Sequence, residues 1–266
     1  MAPGSETSAA ASSGMFSVPN AMLLVKRHAL ALAVFFIGCA TSWALAHWLE
    51  QRDRNSAEAE FEHRVVELRG ALLQHWRSVE ARLQASAVHL ELTGVRSDVD
   101  WATIVRRFDL IDTGAHLTAF GVAPLVRGAA EVTAFERGQL LSKPGSKIWP
   151  AGERVMYVPV GQAELPATRM RLPNGFDMWS EPTRREAMQR ARDNADSALS
   201  GKIELVVDAG PAATPAFIAF HPVYKAPDPA SVEARRNTLG AFVYCAFRAE
   251  EFVHGALGDG FDRVSF

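Results

Sequence analysis

The sequence has little cysteine, almost no net charge and, with one exception, no long apolar run. Two cysteines in 266 residues cannot build a disulfide scaffold. A formal net charge of −2, from 28 basic and 30 acidic residues, lacks the basic excess that displaces counterions from phosphates, so nucleic acid is excluded as a partner. None of the eight histidines pairs with another at the i, i+4 spacing beside a glutamate that a zinc hydrolase helix needs. There is no Gly-x-Ser-x-Gly elbow, no Walker loop, no Gly-x-Gly-x-x-Gly and no kinase or cyclase signature. No cofactor and no metal is therefore expected, and catalysis would have to come from residues that meet across the fold. The composition, 48% hydrophobic and 22% charged, is that of a globular chain.

The exception is Ala29 to Trp48, a run of 20 residues without Asp, Glu, Lys or Arg. As a helix it rises about 30 Å, the thickness of a bilayer core. Lys26 and Arg27 precede it, which places that end in the cytoplasm by the positive-inside bias. Two cleaved forms compete with this anchor. Ala44-Leu45-Ala46 has the small-x-small pattern of a signal-peptide site, and Phe36-Ile37-Gly38-Cys39 resembles a lipobox. The apolar run continues past Cys39 to Trp48, longer than the roughly 7–15 residues of a signal-peptide core, which favours the anchor. All three forms export the residues beyond Trp48. Cys39 then lies in the span and Cys245 has no exported partner, so no intramolecular disulfide is predicted. Residues before the span are rich in Ala, Ser, Gly and Pro and cannot bury a core.

After the span, Phe61, Val65, Leu68, Leu72, Trp76, Val79, Leu83, Ala87 and Leu90 recur in steps of 4 and 3 that repeat every 11 residues. That period predicts one amphipathic helix with a nearly straight seam. The seam can pack on its own domain, pair with a second copy as a stalk, or do each along a different part. From Thr93 the pattern changes to short strands and helices. Strands are predicted at 116–123, 154–160, 202–208, 216–224 and 239–247. Helices are predicted at 97–108, 129–141, 180–194, with Ser180 as cap and Pro182 in its first turn, and 249–257. Residues 227–237 read as a polar loop, and Val264 to Phe266 as a strand beginning.

Several blocks then occur in a telling order. They are Gly175 and Asp177, Arg184 and Ala187, Ala191-Arg192, Leu199-Ser200-Gly201, Pro222-Val223-Tyr224, and Gly240 with Phe247. Two more precede them, residues 120–136 and Tyr157-Val158-Pro159-Val160. In this order they resemble the CHASE family of extracellular sensor domains, from about Phe61 to the end. The resemblance implies a membrane-anchored receptor with a long stalk helix and two PAS-like subdomains. A ligand site would lie in the membrane-distal subdomain. A second membrane helix and a cytosolic histidine kinase, diguanylate cyclase or adenylate cyclase would come after the sensor. Three positions depart from the family pattern. Asn194-Ala195 stand where Thr-Gly usually ends the helix, Asn194 being expected to take the cap. Val155 stands where plant cytokinin receptors carry an acidic residue, which argues against a cytokinin-like purine. The sequence stops at Phe266, inside the proximal subdomain.

The expected fold class is thus α+β. Its parts are a disordered cytoplasmic tail (1–28), a transmembrane helix (29–48), a stalk helix (49–92), a membrane-distal PAS-like subdomain of antiparallel sheet (93–215) and an incomplete membrane-proximal one (216–266). The expected function is an extracytoplasmic sensor, not an enzyme within this chain, that binds a small-molecule ligand and dimerises through its stalk. Candidate ligand-binding residues are the apolar strand positions Phe120, Met156, Val158 and Leu205, with Asp177 and Met178 from the loop before the helix. Two other readings stand beside it: an anchored, exported hydrolase built on Asp177 and His221, and a stalk-dimerised adaptor without a pocket.

Overall fold

A computed structural model describes residues 19–94, 101–107, 116–165, 173–208, 214–226 and 228–258. The chain divides into two units, residues 1–65 and 66–266. Helix α1, Pro19–Thr93, contributes to both. In the first unit, His28–Arg52 is long and apolar enough to cross a membrane, and its apolar side chains are exposed. The helix already includes Pro19 to His28, so the expected tail is helical from Pro19, and residues 1–18 lie outside the described residues. Phe61 and Val65, the first two seam positions, are exposed.

The second unit holds the end of α1 and a mixed domain. Its elements are α2 Trp101–Arg107, β1 Ala119–Pro124, α3 Gly128–Glu136, β2 Gln162–Glu164, α4 Pro182–Asn194, β3 Ala198–Leu199, β4 Ala216–Tyr224, α5 Val232–Thr238, β5 Leu239–Arg248 and α6 Ala249–Leu257. The strands form one five-stranded antiparallel sheet in the order β2-β1-β5-β4-β3. β4 and β5 are runs of β-branched, aromatic and small residues with few charges, the composition of strands covered on both faces. They pair along their whole length, Ala219 opposite Cys245 and Phe220 opposite Tyr244. Pro222 sits in β4 past the end of the two-residue β3, where no outer ladder needs its missing N–H.

The expected division at 215/216 falls inside this sheet. β4 and β5 lie between β1 and β3, so among the described residues the strands of both expected subdomains make a single sheet. The physical reason is that β5 is buried on both faces and needs a neighbour on each edge, which β1 and β4 supply.

Alternation along the strands sorts side chains onto two faces. On one face Val122, Val223, Val243, Cys245 and Phe247 share a core with Val79, Leu83, Ala87 and Leu90 of α1 and with Trp101 and Ile104 of α2. The second half of the seam is therefore spent on its own domain. Glu91 of α1 adds a bond, its carboxylate accepting from the Tyr224 N–H at 2.9 Å. On the other face Phe220, Phe242, Tyr244 and Ala246 pack with Ala187, Met188 and Ala191 of α4.

Local differences have local causes. Residues 154–160 form no strand; Tyr157 and Pro159 make single bridges, to Val126 and Asp177, and Val155 points into solvent at 92% exposure. Residues 202–208 give one bridge at Ile203 and a 3-10 turn at Val206–Asp208. α4 is capped by Glu181, whose carboxylate accepts from the Thr183 and Arg184 N–H groups, while Ser180 ends the preceding 3-10 turn. At its other end Ala195, not Asn194, takes the left-handed conformation, at φ 54°. The polar stretch after Pro227 contains α5, which Ser231 caps by accepting from the Ala234 N–H. The expected strand at 264–266 lies outside the described residues.

Candidate ligand-binding site

The α4 face of the sheet is not filled to its end. β1 turns only Ala119, Gly121 and Ala123 toward it, and β5 adds Ala246, so small residues stand where a packed core would have large ones. The result is a small open cavity of about 50 Å³. Ala119, Ile218, Tyr244 and Ala246 line it from the sheet. Val160, Phe176, Met178 and Leu205 line it from the connecting segments.

Tyr244 occupies the room that Gly121 leaves. A Cβ on Gly121 would stand 2.7 Å from the Tyr244 hydroxyl and 2.6 Å from the Ala163 Cβ. The phenol is nearly fully buried, and burial pushes its pKa far above the usual tyrosine value, so it remains a protonated donor. Its hydroxyl has no hydrogen-bond partner among the described residues.

Arg184 comes from the first turn of α4, with a side chain only 5% exposed. One guanidinium nitrogen donates to the Glu204 carbonyl at 2.7 Å, and another donates to Glu181 at 3.3 Å. Its Cζ lies 5.3 Å from the centre of the Phe176 ring. Nε is buried without a partner. Burial pulls the guanidinium pKa down, against the pull of Glu181. On Glu181, burial pushes the carboxyl up, but the Thr183 and Arg184 N–H donors outweigh it and hold it below the usual value.

Asp177 holds the wall in place. It is fully buried, and its Oδ1 accepts from the Val158 N–H at 2.8 Å and the Trp179 N–H at 3.1 Å. Oδ2 stands 3.4 Å from an Arg154 nitrogen. Burial raises its pKa, and the two backbone donors and Arg154 oppose the rise. Gly175 opens this loop at φ 78°, where a Cβ would also run into the Lys147 carbonyl.

A family model described as the CHASE domain matches residues 96–266, well over half of the chain. The chain belongs to the CHASE family. No curated protein matches it. A CHASE domain is an extracellular sensor, and here one N-terminal apolar helix, of span or signal-sequence type, precedes it. Only this sensory domain is found, and no catalytic domain is in the chain.

Within the CHASE domain, Met178 and Leu205 line the cavity. Val158 is buried in the α4-side core and gives its N–H to Asp177. Asp177 lies behind the wall and positions it. Met156 is half-buried against the same core. Phe120 lies apart from the cavity: its neighbours Ala119 and Gly121 face the α4 side, so alternation turns it to the α1 side, where it stacks on Trp101 with centroids 5.8 Å apart. Arg184, Tyr244, Phe176 and Ile218 also line the cavity, and no sequence signal marked them as ligand contacts. The in-strand position of Tyr244 was legible, but its face was not.

The hydrolase reading does not assemble. His221 alternates with Phe220 and lies on the α1 side with Ala219 and Val223, its Nδ1 3.0 Å from the Ser197 hydroxyl. Asp177 is on the other side, committed to backbone donors. Burial lowers the His221 imidazole to about 4, against the pull of Asp196. Among the described residues no group of His, Cys, Asp or Glu is placed to hold a metal ion.

Proposed function

We propose that this chain is the input half of a membrane receptor. A small molecule binds in the cavity on the α4 face of the CHASE domain, and α1 carries the event toward a cytosolic output domain. The observation that carries this reading is the cavity itself: apolar, open to entry and lined by few polar groups, the usual make-up of a small-ligand site. Met178 and Leu205 contact the ligand, and Asp177 fixes the loop that presents Met178. The apolar segment anchors the chain with Lys26 and Arg27 inside, and the sensor outside. The exposed seam residues Phe61 and Val65 pair with a second copy, since Val79, Leu83, Ala87 and Leu90, at the other end of the seam, are already buried in the sensor core. A ligand moves the receptor only by binding one stalk arrangement better than another.

The test is thermal unfolding of the detergent-solubilised chain against a broad library of small metabolites. A ligand present at a hundredfold its Kd stabilises the native state by about 2.7 kcal/mol, a readable shift. Ala246→Leu, which fills the cavity, should abolish the shift. A library without any stabilising member removes the sensor reading.

A further inference from the structure

We propose that the cavity selects an organic monoanion, an apolar body ending in a carboxylate that Arg184 receives. This rests on the cavity being the ligand site and adds the chemistry of what enters it. Arg184 is the one formally charged residue among the described residues lining the cavity. A guanidinium carries five N–H donors, and this one spends two, on Glu204 and Glu181. Its Nε–H is buried with no acceptor, an uncommon state for so strong a donor and one that a ligand oxygen resolves.

Glu181 does not replace that ligand. Its carboxylate caps α4 by accepting from two backbone N–H groups, and it does not line the cavity. The Phe176 ring supports the guanidinium at 5.3 Å and leaves its in-plane donors free to act. A planar two-oxygen anion matches a planar fork of donors. One guanidinium already leaning on Glu181 leaves no second cation for a dianion. A cationic ligand would meet Arg184 with no carboxylate in the lining to offset it. The Tyr244 hydroxyl, protonated and unpartnered in the same cavity, supplies a further donor.

The experiment titrates the full chain with phenylacetate, hexanoate and octanoate, each beside its primary amide. The amide keeps shape and one acceptor and loses the charge. The expected result is that an acid binds about tenfold or more tighter than its amide. In Arg184→Gln the ratio should collapse toward one while amide affinity is kept. Arg184→Lys should fall between, since it restores charge without the fork, and Tyr244→Phe should weaken the acid and leave the charge preference. Because the acid-to-amide ratio is measured first on the unaltered chain, a variant that unfolds does not decide the matter. Equal binding of acid and amide, or a preference that survives Arg184→Gln, overturns the anion assignment and leaves the cavity as a ligand site. Stabilisation by neutral or cationic metabolites alone does the same. Absence of any binder, acid or other, overturns both readings.

Discussion

Gly121 and Tyr244 are opposite one another in adjacent strands, and each exists in the form the other allows. Adding one methyl at 121 drives into the phenol and into Ala163, whose Cβ belongs to β2. Gly121→Ala should cost about 1–3 kcal/mol of stability by overpacking, and should weaken ligand binding because the ring must move into the cavity. Urea denaturation and a binding titration on the same variant read both effects. His221 gives a pH signature on the opposite face. Its folded pKa is about 4 against 6.5 for the free side chain, so between these values the unfolded chain holds more protons. Stability should therefore rise as pH goes from 4 to 6.5 and be lost as pH falls back through that window. His221→Gln should flatten that slope in melting curves taken across the range. Parity also explains what the sequence hid at this scale. Phe120 and Tyr244 are both aromatic strand residues, and nothing in a two-residue period says which face is hollow. Only pairing with Ala246 and Tyr244 assigns Ala119 and Gly121 to the cavity side and Phe120 away from it.

Elements with a strong apolar period were legible, and those held by single contacts were not. β4, β5, α4 and α6 match their patterns closely, because long buried strands and a helix with a cap and a proline in its first turn need no tertiary arbitration. Residues 154–160 alternate in hydropathy too, but they are held by two isolated bridges and by the Asp177 carboxylate, contacts no local pattern reveals. α5 escaped notice because most of its residues are polar and none is buried. The α1 seam is the instructive case. Its 11-residue period runs unbroken, yet Phe61 is 69% exposed and Leu83 is fully buried. Leu83→Ala should cost about 2–5 kcal/mol in the unfolding of the sensor unit. Phe61→Ala should leave that unfolding within about 0.5 kcal/mol and instead weaken self-association measured by sedimentation.

As a whole molecule, the chain couples one apolar segment to one sensory domain. If that segment is a resident anchor, the expressed protein keeps its full mass and stays in the membrane pellet after alkaline carbonate extraction. Phe36→Arg with Ile37→Arg, at about 2.5–3.5 kcal/mol per central charge, should shift it to the soluble or degraded fraction. A shortened product in the soluble fraction of the unaltered protein would identify a cleaved signal instead. The central strand β5 has a consequence for how any such receptor responds. Tyr244 lies on the cavity side, while Val243 and Cys245, its immediate chain neighbours, lie in the core that grips α1. Under the proposed function, guest and shaft share a partition a single backbone thick, with no relay of side chains between them. A guest that pushes the phenol then loads the same strand that carries Val243 and Cys245 into the α1 core. Such a partition answers to how far a guest wedges it and works as a stiff diaphragm, not as a wire.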